Sequence, residues 1–255
     1  MTRDLFRQRL EKEYDRIKST EKKLRQTVAK ELGKSEFSCL RCGKCCRRED
    51  GDNTVFVRPG EIERITEKTG LSFEETAAPL FPDVYERQGG KYAVTAARAA
   101  AVLEEIADQI APDGRVRTFG WTLRRKPDGS CRFLNADNKC LVYEERPLLC
   151  RTYPFYLEDG TLTECECGGI GNGTLSKDGC RLLADDLTDR YLLETDDMIM
   201  TYDTVRDHLP DDGGSAEGLK RAQENAAAGF IRFIVYDSRG VTEVTETLPI
   251  EHNED

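Results

Sequence analysis

Four cysteines fall within the eight residues CLRCGKCC: Cys39, Cys42, Cys45 and Cys46. Two cysteines separated by two residues can wrap one metal ion in a tight turn, with backbone amides pointing at the sulfurs. Zinc knuckles and ferredoxin loops are built this way. The C-x2-C-x2-C run matches part of a bacterial ferredoxin signature, but Cys46 follows Cys45 directly, where that signature has a spacer and Cys-Pro. Adjacent side chains diverge, so Cys45 and Cys46 are expected to serve two neighbouring metals, or one of them to face away.

Six further cysteines follow. Cys131, Cys140 and Cys150 each stand at the edge of an expected strand or turn, where a side chain can reach inward from rigid backbone. Cys165 and Cys167 flank Glu166 at a strand end and can share one face. Cys180 falls on an expected helix and reads as a small buried hydrophobe rather than a ligand. The two histidines, His208 and His252, lie far from every cysteine in sequence. Ligation is therefore expected to be by thiolate, which selects zinc, iron–sulfur clusters or Cu(I). Arg41, Lys44, Arg47, Arg48, Arg132, Lys139 and Arg151 flank the cysteines. They either offset thiolate charge or are ordinary surface cations. A thioredoxin-like C-x-x-C wants a βαβ setting, whereas a charged helix precedes this cluster.

The chain as a whole limits the alternatives. With 255 residues it can bury a core without covalent staples, which weakens a disulfide-scaffold reading. The first residues, MTRDLFRQRLEKEYDRIKS, carry no apolar signal stretch. No segment approaches the roughly 18–20 apolar residues of a membrane span. A cytoplasmic setting with reduced thiols is expected, and no membrane association. The formal net charge of −10, from 38 Lys+Arg against 48 Asp+Glu, argues against a nucleic-acid partner, which normally meets a basic face.

Local signals supply the scaffold. Leu10, Tyr14, Ile17, Leu24 and Val28 form a helical stripe over residues 3–32, with Gly33 as the stop and docking on the body as the expected use. TVFV (54–57) reads as a strand and residues 60–69 as a helix ending at Gly70. Ser72 and Glu75 have capping-box spacing, and the alanine-rich stretch 94–110 has strong helical propensity. VRTFGWTLRRK, PDGS and CRFL read as a hairpin, followed by the turn NADNK and the strand CLVY. Trp121 is expected in the core, and Arg124 and Arg125 on a solvated strand face. Pro147 opens a short helical turn over 146–152. FYLEDGTLTECE reads as a hairpin with Asp159–Gly160 at its tip. Residues 176–209 and 216–228 are helical, and FIRFIVYD with VTEVTETL makes a C-terminal hairpin. The tail EHNED is expected to be disordered.

The order of motifs resembles a known family. CLRCGKCC, followed by CRFLNADNKCLVYEERPLLCRTYPF, is similar to the YkgJ-type cysteine-cluster family, described as zinc- or iron-chelating and iron–sulfur-cluster-containing proteins. The second block matches through Cys131, Phe133, Leu134, Cys140, Tyr143, Arg146, Pro147, Cys150, Arg151, Tyr153 and Pro154. The resemblance covers roughly residues 37–173 and implies a cysteine-ligated metal centre. A flagellin lysine N-methylase carries a similar cysteine arrangement, which makes S-adenosylmethionine-dependent methyl transfer one implied activity. GGIGNG (168–173) does not have G-x-G-x-x-G spacing, and LTECEC is too polar for a buried parallel strand. That loop is expected to wrap Cys167 instead, letting backbone N–H groups approach sulfur. Arg146 is expected to hold the loop before Cys150.

These readings combine into an α+β fold: small antiparallel hairpins around a cysteine-ligated site, helices packed outside, and a long N-terminal helix. The expected parts are an amphipathic helix (1–36), a cysteine-cluster metal-binding domain (37–180) and a helical segment with a C-terminal β-hairpin (181–250) packed on the same domain. The expected metal ligands are Cys39, Cys42, Cys45, Cys46, Cys131, Cys140, Cys150 and Cys167, with Cys165 in reserve. Eight thiolates exceed the need of one tetrahedral ion, so two metals, or a cluster and a metal, can fit. Three functions stay open: an iron–sulfur protein in electron transfer or redox chemistry with a redox partner, a structural zinc protein that binds a partner protein, and a methylase-like enzyme.

Overall fold

The structure is a computed structural model that describes residues 2–49, 52–88 and 91–250. The tail 251–255 and His252 lie outside the described residues. The chain opens with α1 (Thr2–Leu32), and α2 (Lys44–Arg47) is a single turn inside the cysteine loop. β1 (Phe56–Val57), α3 (Pro59–Thr69), α4 (Phe73–Thr76) and β2 (Ala77–Pro79) follow. Next come β3 (Tyr85–Gln88), β4 (Lys91–Val94), α5 (Ala96–Glu105), β5 (Val116–Phe119) and β6 (Trp121–Leu123). The remaining elements are α6 (Leu148–Thr152), β7 (Phe155–Glu158), β8 (Thr161–Glu164), α7 (Lys177–His208), α8 (Ala216–Ala227), β9 (Phe230–Asp237) and β10 (Gly240–Thr247).

The long N-terminal helix forms and docks. Ile17 and Val28 of its stripe are buried, as is Leu32 beyond it, and the helix lies along α7, as expected of an amphipathic helix whose apolar face needs cover. Polar pairs align the two helices. Arg7 Nε stands 2.8 Å from Asp203 Oδ1, Arg25 Nη2 stands 2.6 Å from Asp189 Oδ1, and the Tyr191 hydroxyl donates to Glu13 Oε1 at 2.6 Å. Ser72 and Glu75 form their capping box, although the helix they start lasts one turn. Asp159 and Gly160, both at positive φ, close the β7–β8 hairpin.

Two hydrophobic clusters organise the molecule. The larger joins α3, α5 and α8 to the sheets through Ile62, Leu103, Trp121, Phe133, Val142 and Phe233. The second lies between α1, α7 and the β7–β8 hairpin and includes Val28, Leu32, Phe37, Phe155 and Leu187. The architecture is mixed helix and small, mostly antiparallel sheets. Among the described residues no helix is long and apolar enough to cross a membrane.

Three expectations about the middle of the chain are corrected. VRTFGWTLRRK is not one strand. It breaks at Gly120, at φ 91°, and its halves enter different sheets. β5 pairs parallel with β9, while β6 pairs antiparallel with β1 and β2. CRFL and CLVY make isolated bridges rather than strands. Polar side chains take backbone donors that a ladder would need: Asp128 Oδ1 accepts from Ser130 N, and Asn135 Oδ1 from Asp137 N and Lys139 N. Arg124 and Arg125 are half-buried and paired rather than a solvated face. Arg124 pairs with Glu246 at 2.8 Å and donates to Ala77 O, and Arg125 bonds Asp52 at 3.1 Å and Thr54. Trp121 is core as expected, with Nε1 donating to Asp237 at 2.6 Å.

Candidate metal centre

The CLRCGKCC loop crosses from one hydrophobic cluster to the other, and each cluster brings it cysteines. Phe37 anchors the loop's start in the second cluster, against which Cys167 packs. Cys131 and Cys140 pack against the first. At the start, Phe37 bridges Ile170, Ser38 N–H donates to Gly169 O at 3.2 Å, and Gly171 N–H donates to Glu36 O at 2.7 Å. Gly169 has no room for a side chain there: a Cβ would meet Ser38 O at 2.5 Å.

At the loop's other end, Arg41, Gly43 and Arg48 adopt positive φ. They turn the chain sharply on both sides of α2. Cys46 O accepts from Cys131 N at 2.8 Å and from Asn53 Nδ2 at 3.0 Å. These bonds tie the fourth cysteine of the loop to the segment carrying the fifth. Arg48 is buried, pairs with Asp83, and lies against Tyr85 and Tyr92 with ring centroids 5.5 and 4.8 Å away. Tyr143 receives Arg41 at 5.0 Å and Arg146 at 3.6 Å, and Arg146 Nε donates to Tyr143 O. Arg146 thus shapes the loop before Cys150, as expected. Buried Glu61 accepts from Leu148 N at 2.8 Å and starts α6, which carries Cys150.

Backbone amides reach three sulfurs. The N–H of Gly169 donates to Cys167 at 3.4 Å, and the amides of Phe133 and Val142 act in the same sense on Cys131 and Cys140, favouring the thiolate. The same two-residue offset recurs each time, and it matches the wrapping role expected of the glycine loop. The thiols also feel one another. Burial, then the charges of Cys140 and Cys45, push Cys131 up to about 11. Burial, then Cys131, Cys45 and Cys140, push Cys150 up strongly. Burial, then Cys39, Cys45 and Cys42, push Cys167 up. Cys45 is within electrostatic reach of Cys131, Cys140 and Cys150 and also of Cys167.

The Sγ atoms of Cys45 and Cys46 are 3.9 Å apart. The expectation that adjacent side chains diverge is therefore corrected. Two thiolates on one tetrahedral zinc, each about 2.3 Å from it, lie about 3.8 Å apart. The left-handed turn at Gly43 and the single turn of α2 bring the two side chains to that span. Cys165 is exposed, with its N–H donating to Pro154 O at 2.8 Å. Cys180 is buried in the second cluster with the α1 stripe, its thiol 3.9 Å from Leu175 O, as expected of a core residue.

Most flanking cations serve carboxylates. Arg47 pairs with Glu49 at 2.6 Å, Arg132 with Glu75 at 3.6 Å and Arg151 with Asp186 at 2.8 Å. Arg146 acts on Cys140 and Cys150 and Lys126 on Cys131, while Arg47, besides its pair with Glu49, also feels the charges of Cys42 and Cys46. Sequence reasoning missed Lys126, Asn53 and Glu61, because each acts across a fold contact rather than within a motif.

Among the described residues no group of three or more His, Cys, Asp or Glu side chains is already arranged to hold a metal ion. The donor chemistry nonetheless fits one. All ten cysteines are free thiols, and Cys131, Cys140, Cys150 and Cys167 each feel the charge of other cysteines. A bound cation relieves that repulsion.

These features define a cysteine-rich, metal-chelating class of protein. The chain belongs to the family described as "CxxCxxCC: Putative zinc- or iron-chelating domain", whose profile matches residues 38–168. That span holds every cysteine except Cys180. No curated protein and no solved structure gives a match.

Proposed function

We propose that the chain holds an iron–sulfur centre through Cys39, Cys42, Cys45, Cys46, Cys131, Cys140, Cys150 and Cys167, with Cys165 in reserve, and serves electron transfer or redox chemistry with a protein partner. The observation that supports this best is the place of Cys45, whose charge acts on Cys131, Cys140 and Cys150 and also on Cys167. Backbone N–H groups aimed at sulfur are one of the devices that tune cluster potentials. A cluster bound here supplies reversible one-electron transfer. The residues' own part is to offer thiolates, with Arg146, Lys126 and the amides of Phe133 and Val142 favouring the deprotonated form and the Gly169 N–H bonding to sulfur. Ten free thiols accord with a reducing, cytoplasmic setting.

A second reading, structural zinc, is favoured by one observation: the Cys45–Cys46 sulfur separation suits a single tetrahedral ion. Anaerobic purification followed by an absorbance spectrum and analysis for iron, sulfide and zinc separates the two. A broad band near roughly 400 nm with iron and labile sulfide supports the cluster. Colourless protein with about one or two zinc ions replaces it with a structural site. Protein free of any metal overturns both.

A further inference from the structure

A cavity of about 720 Å³ lies between the α1–α7 helix pair and the sheets behind it. That volume lies in the usual range for a small-molecule site. Its walls are aromatic: Phe6, Phe56, Phe119, Trp121, Tyr191 and Tyr202 all line it. Three of these, Phe6, Phe56 and Phe119, are exposed large apolar side chains, as is Met198 beside them. Exposed apolar groups gathered around one concavity mark a binding surface rather than scattered surface residues.

Four carboxylates line the cavity, Glu13, Glu61, Glu194 and Asp197, with two arginines. Three of the four lining carboxylates are ion-paired, Glu13 with Arg16, Glu61 with Arg58 and Glu194 with Arg190, and Asp197 is the one without an ion pair among the described residues. Both arginines are engaged: Arg58 stands 3.2 Å from Glu61 and Arg190 2.8 Å from Glu194. Asp197 accepts from the Ser238 hydroxyl at 2.6 Å. Burial, and the charges of Asp237 and Glu61, push its carboxyl up against the opposing pull of Ser238 and Arg58. The Tyr202 hydroxyl is buried and has no hydrogen-bond partner among the described residues. Its ring packs 5.8 Å from that of Phe6. A carboxylate without an ion pair, an unsatisfied hydroxyl and several aromatic faces suit a positively charged donor on an apolar body.

We propose that this cavity binds an organic primary ammonium ion, with Asp197 and the Tyr202 hydroxyl taking its N–H groups and the rings of Phe6, Phe56, Phe119 and Trp121 enclosing its apolar part. The cavity also meets the cysteine region. Leu149, which precedes Cys150, lines it, and an adjoining cavity of about 410 Å³ shares Leu149, Arg190 and Tyr191 and reaches Cys165.

Trp121 is the only tryptophan in the chain, so its fluorescence reports on the site. The test titrates the full-length protein with phenethylammonium chloride, and in parallel with 2-phenylethanol and 3-phenylpropionate. The expected result is a saturable change with the ammonium ion and binding at least about tenfold weaker for the other two. Asp197→Asn is expected to weaken the ammonium ion about tenfold and leave phenylethanol unchanged. Phe119→Ala, at an exposed position, is expected to weaken both amine and alcohol without moving the thermal midpoint. No saturable change, equal binding of all three probes, or an unaffected Asp197→Asn variant overturns the proposal. So does a dimer that Phe119→Ala dissociates, since the face would then meet a second copy of the chain.

Discussion

Gly169 is where the two sides of the cysteine site touch, and replacing it tests how the site is held shut. An alanine Cβ there would stand 2.5 Å from Ser38 O and 3.0 Å from the Phe37 ring. Its φ lies outside the left-handed range, so the obstacle is steric alone. A C–H···O contact settles at about 3.3 Å or more, so the Ser38 carbonyl must retreat by about 0.8 Å. That movement breaks the Ser38 N–H to Gly169 O bond of 3.2 Å and strains the Gly171 to Glu36 bond of 2.7 Å. Overpacking of this kind costs about 1–3 kcal/mol, and a lost hydrogen bond about 1 kcal/mol. Gly169→Ala is therefore expected to destabilise the protein by about 2–3 kcal/mol. Gly168→Ala is the matched control. Its Cβ would find only Leu40 Cδ1, at 4.0 Å, so the change should stay within about 0.5 kcal/mol. Urea unfolding followed by Trp121 fluorescence measures both. Transfer of bound metal to a chromogenic chelator measures opening of the site. A 2 kcal/mol loss confined to the closed site raises the open population roughly thirtyfold, and release should accelerate in proportion. Equal stability and equal release from the two variants would refute the claim that the 37–39 and 167–171 segments close the site by direct backbone contact.

The cysteines divide by environment, and that division has consequences. Cys150→Ala should lower the metal content of purified protein, whereas Cys180→Ala should leave it unchanged and cost about 1 kcal/mol in denaturant unfolding, the price of a small cavity. pH should separate metal-free from metal-loaded protein. Burial, then the charges of Cys140 and Cys45, hold the Cys131 thiol up near about 11, while an unfolded cysteine ionises near about 8.5. The stability this thiol contributes is thus complete below about 8.5 and lost as pH rises towards 11, because the unfolded chain releases its proton first. Thermal midpoints of metal-free protein should fall between pH 8 and pH 10 more steeply than those of the loaded form, whose bound thiolates have already lost their protons. Parallel curves for the two forms would remove Cys131 from the ligand set.

Features written in local pattern were readable in advance. The α1 stripe needs only its own spacing, and so do the Ser72–Glu75 capping box and the Asp159–Gly160 turn, because each is decided by residues within a few positions. The cysteine loop was readable for the same reason in its chemistry, though not in its geometry. Adjacent side chains diverge most fully on extended backbone. At Cys45 and Cys46 the left-handed turn at Gly43 and the single turn of α2 replace it. What stayed hidden depends on contacts between distant segments. Gly120 reads as an interruption inside a strand, yet its amide donates to Tyr236 O at 2.9 Å and sends the flanking residues to separate sheets. Arg124 and Arg125 read as a wet face because no local signal announces Glu246 or Asp52. The aromatic cavity is likewise invisible in sequence. Phe6, Phe56, Phe119 and Tyr202 are spread over most of the chain, and only the docking of α1 on α7 against the sheets brings them together. Cysteine type and spacing therefore indicate which chemistry is on offer. The two hydrophobic clusters decide where it happens, because the cluster holding Phe37 and Cys167 and the cluster holding Phe133 and Val142 must both fold before one loop can span them.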